Sequence, residues 1–588
     1  MTAPAEIPDR QPRTSLAAAV IVLCAMLPVL PTLRAAFVYD DTTIIRDNPL
    51  LRGWGSLAHV WSSPYWSGEG GEALGLYRPV QQALLALVWN LGHGSALVFH
   101  VYAILLAAAT AIGVWYLLRR GVGVMAALLG AVWFASQPLH VEAIASVANT
   151  SELIAALSTL GLSFMLARRP RTGMGSRGGD ARRVLIIALL AGAAIGAKES
   201  GLLAIPLALL TAWGWKHAAH GSASIRELLR GNARALGAAI TAVTAVLLAR
   251  LAVLGAPVST SAIAAQGLSG IPASDRIVTM MSLWPRIARM LILPSSLSPY
   301  YGPTIVPDHS GGLALLSLAV LIAVVGLAVV SARRGDARPL VALGWIVLTY
   351  LPASNLLTAT GQLLSDRALF GATIGVSLLI AWAVECMPPF GRRVAAVLVV
   401  LLVVRNTVSG AHYAVAWTSH RTLWTRMIEE APAEHLGYKL LGMDARARGD
   451  TAQAISLLER AFAMAPSDRQ TRFELGQAQY TTGRYRAAVA TLSPLMRNAD
   501  ARGERDFVSL YLDAVGRSAG PDAVIRAASP LMHAPSAPTA ALYIGIAQER
   551  MGNRVAAESA YVAGLRRSAG DSALLSRYLA LHPEHMHH

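Results

Sequence analysis

Cysteine is almost missing from this chain. The two in 588 residues, Cys24 and Cys386, both lie in apolar runs. Neither a disulfide framework nor a Cys-based zinc site is therefore available. Charge is scarce as well: Asp, Glu, Lys and Arg make up 14% of residues, against about a quarter in a soluble domain. Lysine occurs only at Lys198, Lys216 and Lys439. What fills the space is apolar, with 54% hydrophobic residues and a mean hydropathy of +0.47. A soluble chain of this length would form roughly four domains, and they could not bury so much apolar surface. Disordered, disulfide-stapled and collagen-like chains are excluded by the same composition. An all-α, polytopic membrane protein remains.

The net charge of +16 is carried by arginine. Many of these arginines stand in short clusters between apolar runs, the positive-inside pattern and not a phosphate-binding stripe, so nucleic acid is not an expected partner. Arginine in place of lysine fits a GC-rich bacterial genome.

Apolar runs long enough to span a bilayer, or nearly so, lie at about 16–36, 96–118, 121–139, 144–167, 184–198, 199–216, 235–255, 312–331, 339–353, 368–386 and 393–410. The count is about eleven. Leu33-Arg34-Ala35-Ala36 makes a poor cleavage site after the first run, which therefore reads as an uncleaved anchor. Arg119 and Arg120, then the cluster from Arg168 to Arg183, then Lys216 to Arg234, Arg333 to Arg338, and Arg392 with Arg393 fall in alternate loops. An N-terminus (1–15) on the cytoplasmic side and eleven spans put every one of these loops inside. That parity requires two further helical stretches, 78–92 and 275–293, not to cross; Arg276, Arg286 and Arg289 suit the second to the interface. The region after a linker at 411–437 is then extracytoplasmic.

That region, 438–580, repeats with a period of 34. Gly442 returns as Gly476, Gly449 as Gly483 and Ala454 as Ala488; the same offsets recur at Gly545, Gly552 and Ala557 after a degenerate unit, and Pro466 closes the first unit. This is the tetratricopeptide pattern, small residues where two helices cross, and such units stack into a solenoid that binds polypeptides. The tail 581–588 ends in His587-His588, which without a matching ligand spacing is a weak metal signal.

Polar residues gather at the outer ends of the spans. The first outer loop, 37–95, opens on Phe37-Val38-Tyr39-Asp40-Asp41 and continues through Asn48-Pro49 to Tyr77-Arg78-Pro79. Gln137-Pro138-Leu139-His140-Val141-Glu142, Lys198-Glu199, Tyr300-Tyr301 and Pro352-Ala353-Ser354-Asn355 with Ser365-Asp366-Arg367 fall on the same face. Ionisable groups near membrane depth are costly and mark sites. Each has a plainer reading: a solvated loop start for the aspartates, a helix-end polar pair for His140 and Glu142, a mutual ion pair for Lys198 and Glu199. Arg367 could likewise be an interfacial anchor, and the tyrosines members of an aromatic belt.

An acidic pair just after a first span looks like a glycosyltransferase of the GT-C fold. The run Phe37–Asp41 with Asn48-Pro49, Tyr77-Arg78-Pro79, Pro138…His140…Glu142, Lys198-Glu199 and Pro352–Asn355…Arg367 resembles the TMTC family, transmembrane and tetratricopeptide-repeat protein O-mannosyltransferases. Gln137, Val141 and Asp366 depart from the family's usual His, Thr and Glu. The resemblance implies an inverting transfer of a mannose-like sugar from a polyprenyl-phosphate donor (undecaprenyl in a bacterium) to Ser or Thr of an exported protein. It also implies a multi-pass position in the inner membrane and Asp40 as the base.

The chemistry has its own logic. An acceptor hydroxyl needs a base aligned opposite the leaving group, which Asp40 or Asp41 can supply. The departing phosphate needs cations, which suits Arg367 and Lys198. Tyr77, Arg78, His140, Glu142, Glu199, Tyr300 and Tyr301 are candidates for holding sugar, acceptor or prenyl chain. An acidic pair with a donor phosphate could also recruit Mg or Mn, although no metal-ligand set is expected from spacing. Three rivals remain: transfer to an envelope glycan or lipid, a non-catalytic tetratricopeptide scaffold, and a transporter. The last would place polar residues in mid-span and on both faces.

Overall fold

A computed structural model of the chain describes residues 12–66, 75–168, 177–220, 223–255, 265, 267–268, 270–497 and 504–582. Arg10, Arg169, Arg171 and His587-His588 lie outside them. Among the described residues there are helices and turns but no strand. Two compact units divide at Glu430 and Ala431.

In the first unit all eleven apolar runs are helical. Among the described residues seven helices are long and apolar enough to cross a membrane, Thr14–Arg34, Ala96–Leu118, Val147–Ala167, Ala233–Leu254, Ser310–Arg333, Arg367–Cys386 and Pro389–Ala416, or eight where the bent pair Val124–Ala135 and Pro138–Ala145 is counted as one span, against the eleven expected. The other three, Arg177–Ala197, Ala204–His220 and Arg338–Tyr350, are short or begin in charge. Ser310–Arg333 and Pro389–Ala416 leave Leu315, Ile322, Leu327, Val397, Leu401 and Val408 exposed, a surface that only a lipid environment covers. This is a multi-pass membrane protein.

Between helices the backbones meet where side chains are small. A Cβ on Gly375 would stand 2.3 Å from the carbonyl oxygen of Ala342, so the helices that deliver Arg367 and Tyr350 can touch only at glycine.

One span is broken where the outer cluster begins. Pro138 holds Gln137 in extended backbone (ψ 121°) and bends the helix by 48°. Ser146 is also extended, so the chain restarts as a 3-10 turn, Val147–Thr150, and then runs as Ser151–Ala167. The boundary expected between 139 and 144 has moved accordingly. The stretch 275–293 is two helices, Ala273–Ser282 and Trp284–Ile292. Residues 411–437 are not an open linker: the last span continues to Ala416 and a further helix, His420–Glu430, follows before the repeats. Nothing from His412 to Ala416 breaks a helix, which explains the extension.

The second unit is a row of helix pairs: His435–Ala447 with Thr451–Met464, Arg469–Thr481 with Tyr485–Leu492, Arg505–Ala519 with Pro521–Ala528, and Ala537–Arg550 with Arg554–Leu565, followed by Ser572–Leu581. The 34-residue pattern has two physical causes. Gly449, Gly483 and Gly552 turn between the helices of a pair at φ of +82°, +75° and +80°. Gly442, Gly476 and Gly545 sit where the paired helices cross; a Cβ there would meet Leu458, Leu492 and Tyr561 at 2.8, 2.5 and 2.1 Å. The degenerate unit keeps the logic with shorter spacing, turning at Gly520.

Gly545→Val should therefore destabilise the repeat unit by about 1–3 kcal/mol, the cost of overpacking. The ring it strikes is fully buried, with its hydroxyl donating to Glu549 at 2.7 Å. Gly570→Ala, which meets nothing within 4 Å, should be neutral. Protease resistance of the repeat region against temperature distinguishes the two.

Candidate functional site

Burial decides the role of each charge here, and the two adjacent aspartates have different roles. Asp41 is fully buried. Val147 N–H donates to its Oδ2 at 2.9 Å, Ala148 N–H to its Oδ1 at 2.8 Å, and Ser146 Oγ to the same oxygen at 3.2 Å. Asp41 thus caps the start of the next span, Val147–Ala167, where the first amides have no helical partner. Burial pushes its carboxyl up to about 7, while the Ala148 and Val147 amides hold it down.

Asp40 is only partly buried and accepts no hydrogen bond from a described residue. Burial raises its carboxyl above the ordinary range; Arg367 and Arg78 work in the opposite direction, and Glu142 reinforces the rise. The residue before it, Tyr39, has left-handed backbone, φ 56°. That is uncommon for a non-glycine residue and turns successive side chains apart.

Asp40 is within electrostatic reach of Arg367, Glu142 and Arg78, each of which is held in an ion pair. Arg367 donates from its backbone N–H to Glu142 Oε2 at 2.9 Å and from Nη1 to Glu142 Oε1 at 2.5 Å, while Nη2 reaches Gln362 Oε1 at 3.0 Å. The Glu142 side chain is wholly buried and the Arg367 side chain 17% exposed. The carboxylate braces the guanidinium from behind and leaves a face open. Arg78 grips Glu199 with Nε at 3.2 Å and Nη2 at 2.8 Å, and stacks over Tyr65 at 5.1 Å. Lys198 pairs with Glu152 and not with Glu199, so the plainer reading of these two as a mutual ion pair does not hold. Arg250 joins Glu199 at 3.9 Å. A cavity of about 40 Å³, lined by Glu152, Ser200, Trp345, Thr349 and Gly371 among others, lies beside the Lys198 pair and has room for a few waters.

Other predicted residues support the site from within. Tyr77 is buried and donates to the Trp61 carbonyl at 2.7 Å. His140 lies between Phe134 and Phe370, ring centroids 4.6 and 4.4 Å away, with Nε2 2.9 Å from Thr373 Oγ1. The Tyr301 hydroxyl donates to Asp366 Oδ1 at 2.6 Å and accepts from Ser298 N–H at 3.2 Å. These three were expected to meet substrate; each is buried and has a polar atom bonded to another part of the protein. Tyr300 is partly buried and within electrostatic reach of Tyr39. Asn355, at φ 56°, closes the loop that carries Gln362, donating to the Gln362 carbonyl at 2.9 Å.

Glu152, Gln362 and Ser146 were missed. A glutamate inside an apolar run was a signal for the first; the other two depend on chain crossings that have no local signature. Among the described residues no three His, Cys, Asp or Glu side chains converge as metal ligands. The aspartate pair does not fit a shared Mg or Mn, since both Asp41 oxygens are taken by Ser146 and the amides of Val147 and Ala148.

Comparison with known proteins agrees with this layout. A tetratricopeptide-repeat family model matches residues 445–504. Protein O-mannosyl-transferase F38B6.6 of Caenorhabditis elegans is 24% identical over 62% of this chain and 50% of its own length. Protein O-mannosyl-transferase TMTC3 of Mus musculus is 21% identical over 78% and 52%, and Protein O-mannosyl-transferase Tmtc2 of Drosophila melanogaster 28% over 48% and 30%. The chain spans about half the length of the first two relatives. Its similarity is to TMTC-family O-mannosyltransferases and runs through the membrane unit into the repeats.

The split between the aspartates is open to test. Asp41→Asn puts an amide group against backbone donors and should cost about 1–3 kcal/mol. Asp40→Asn removes a carboxylate with no hydrogen bond to lose and should leave stability unchanged or slightly raised. Thermal unfolding of the detergent-solubilised protein would show this order; equal losses would contradict it.

Proposed function

We propose that the protein, similar as it is to TMTC-family O-mannosyltransferases, is a membrane glycosyltransferase of the GT-C type. It moves a mannose-like sugar from a polyprenyl phosphate to a Ser or Thr hydroxyl of an exported polypeptide, with inversion. The observation that carries the reading is Asp40: a carboxylate without a hydrogen-bond partner among the described residues, within electrostatic reach of the two braced guanidiniums of Arg367 and Arg78.

The chemistry follows from that arrangement. Asp40 takes the proton of the acceptor hydroxyl as its oxygen bonds to the anomeric carbon. The bond from that carbon to the phosphate oxygen breaks on the opposite side, and the electron pair leaves with the phosphate. Arg367, held in place by Glu142 and Gln362, balances the charge that develops there, and Arg78 adds to the same field. Lys198 is a further candidate for the phosphate. The site faces the extracytoplasmic side of the inner membrane, with the N-terminus inside and the repeats outside; the alternation of arginine-rich loops over eleven helical runs supports this orientation. The repeats present or recruit the polypeptide acceptor.

Purified protein given polyprenyl-phosphate mannose and Ser/Thr-rich peptides should add a hexose to the peptide, read by mass. Asp40→Asn should lower the rate by roughly 10²–10⁴-fold. Arg367→Lys, which keeps charge but loses the fork, should lower it roughly tenfold or more. No transfer from any polyprenyl-phosphate sugar, with repeats that still capture a partner, would leave the scaffold reading. The acid limb of kcat/KM gives a further check. A base must be ionised, and burial lifts Asp40, so activity should fall with decreasing pH at a point above the ordinary carboxylate range near 4.

A further inference from the structure

The loop that carries Asp40 is held from the far end of the membrane unit. The last span ends at Ala416, and the chain turns through Trp417, which is fully buried. The helix His420–Glu430 starts in a reciprocal cap: Thr422 N–H donates to Ser419 Oγ at 3.2 Å and Ser419 N–H to Thr422 Oγ1 at 3.1 Å. His420, Leu423, Trp424 and Met427 share one face of this helix, at spacings of three, four and seven. Leu423, Trp424 and Met427 are buried.

What this face holds is the turn before Asp40. Tyr39 N–H donates to His420 Nε2 at 3.1 Å. The Tyr39 ring meets Trp424 edge-on, centroids 5.5 Å apart, and His420 stacks on Trp424 at 5.8 Å. Ala36 N–H donates to the Thr418 carbonyl at 3.2 Å. The residue so gripped is one of four non-glycine residues with left-handed backbone among those described. Such a conformation persists only where surroundings enforce it. On the opposite side of the same elbow Tyr413 lies within electrostatic reach of Asp366, the neighbour of Arg367.

We propose that His420 is a positioning residue for Asp40. By accepting the Tyr39 N–H it holds the left-handed turn that separates Asp40 from Asp41 and aims Asp40 past the ion pairs. The helix that carries it, His420–Glu430, is the last of the membrane unit.

The proposal rests on Asp40 as base, so its test has one readout that needs no activity. Full-length protein in detergent is compared as wild type, His420→Ala and His420→Gln, the last of which keeps an acceptor at a similar reach. Hydrogen exchange of the peptide covering residues 37–42 should speed up roughly tenfold in His420→Ala, the loss of one buried hydrogen bond, and return toward wild type in His420→Gln. Exchange in the repeats should not change, which guards against general unfolding. With polyprenyl-phosphate mannose, His420→Ala should lose roughly 10–100-fold in kcat with KM for the donor within about twofold, and His420→Gln should recover most of it. Unchanged exchange at residues 37–42 overturns the proposal whatever the activity. Faster exchange in a set of proteins none of which transfers sugar supports the positioning contact and sinks the enzyme reading instead. Faster exchange with undiminished kcat overturns the role of His420 in placing Asp40.

Discussion

A charge that leaves water must find a partner, and this one constraint arranges the outer end of the membrane unit. Arg367 is spent on Glu142, Arg78 on Glu199, Lys198 on Glu152, and Asp41 on two backbone amides and a serine. Each partnership reduces a penalty of several kcal/mol per ion. None of the pairs is formed by neighbours in sequence: Glu142 and Arg367 are 225 residues apart, Arg78 and Glu199 121. The ion pairs therefore tie the first outer loop, the broken span and the last loops into one body. Asp40 is the carboxylate left without a bond in this scheme. Its position beside two cations costs less than isolation would, and it still leaves the oxygens available.

Breaking a span is what makes such a body possible. The bent span stops at Ala145, and after the extended Ser146 the next one begins with the amides of Val147 and Ala148 unpaired, so they need an acceptor. Asp41 meets that need, so the first outer loop is fastened to the start of a long helix by charge-assisted bonds. The same break turns Glu142 inward toward Arg367, while His140, two residues earlier, is enclosed by aromatic rings. A polar residue one turn away from the opening thus becomes scaffold, which is why Tyr77, His140 and Tyr301 belong to the walls.

Much of this was legible before any coordinates. Helical runs were found by hydrophobic length, the repeats by a period of 34 with two glycines per unit, and several members of the polar site by their clusters of ionisable residues. The glycines could be read because each has a local cause, a left-handed turn or a close crossing. Less local facts were not legible. Which aspartate is capped depends on amides more than a hundred residues away. Lys198 and Glu199 adjoin in sequence, which makes a mutual ion pair the plainer reading, yet their side chains take separate partners, Glu152 and Arg78. Residues 411–437 looked like a linker because their hydrophobicity falls, but falling hydrophobicity only ends a span and does not end a helix.

A carboxylate that serves as a base must satisfy two opposed demands. It must be held within a fraction of an ångström of its place, and its oxygens must not be occupied by the contacts that hold it. Side-chain bonds cannot meet both, because every donor that fixes the carboxylate also lowers its basicity. Here the fixing is done on either side of Asp40. Asp41 is anchored through its oxygens, and Tyr39 through its backbone amide and ring. On the proposed reading Asp40 takes its position from both neighbours and keeps its own acceptors clear. An adjacent acidic pair is useful for this reason. One member supplies the anchorage that the other could not accept without losing its basicity, and a single aspartate in the same loop could not do both.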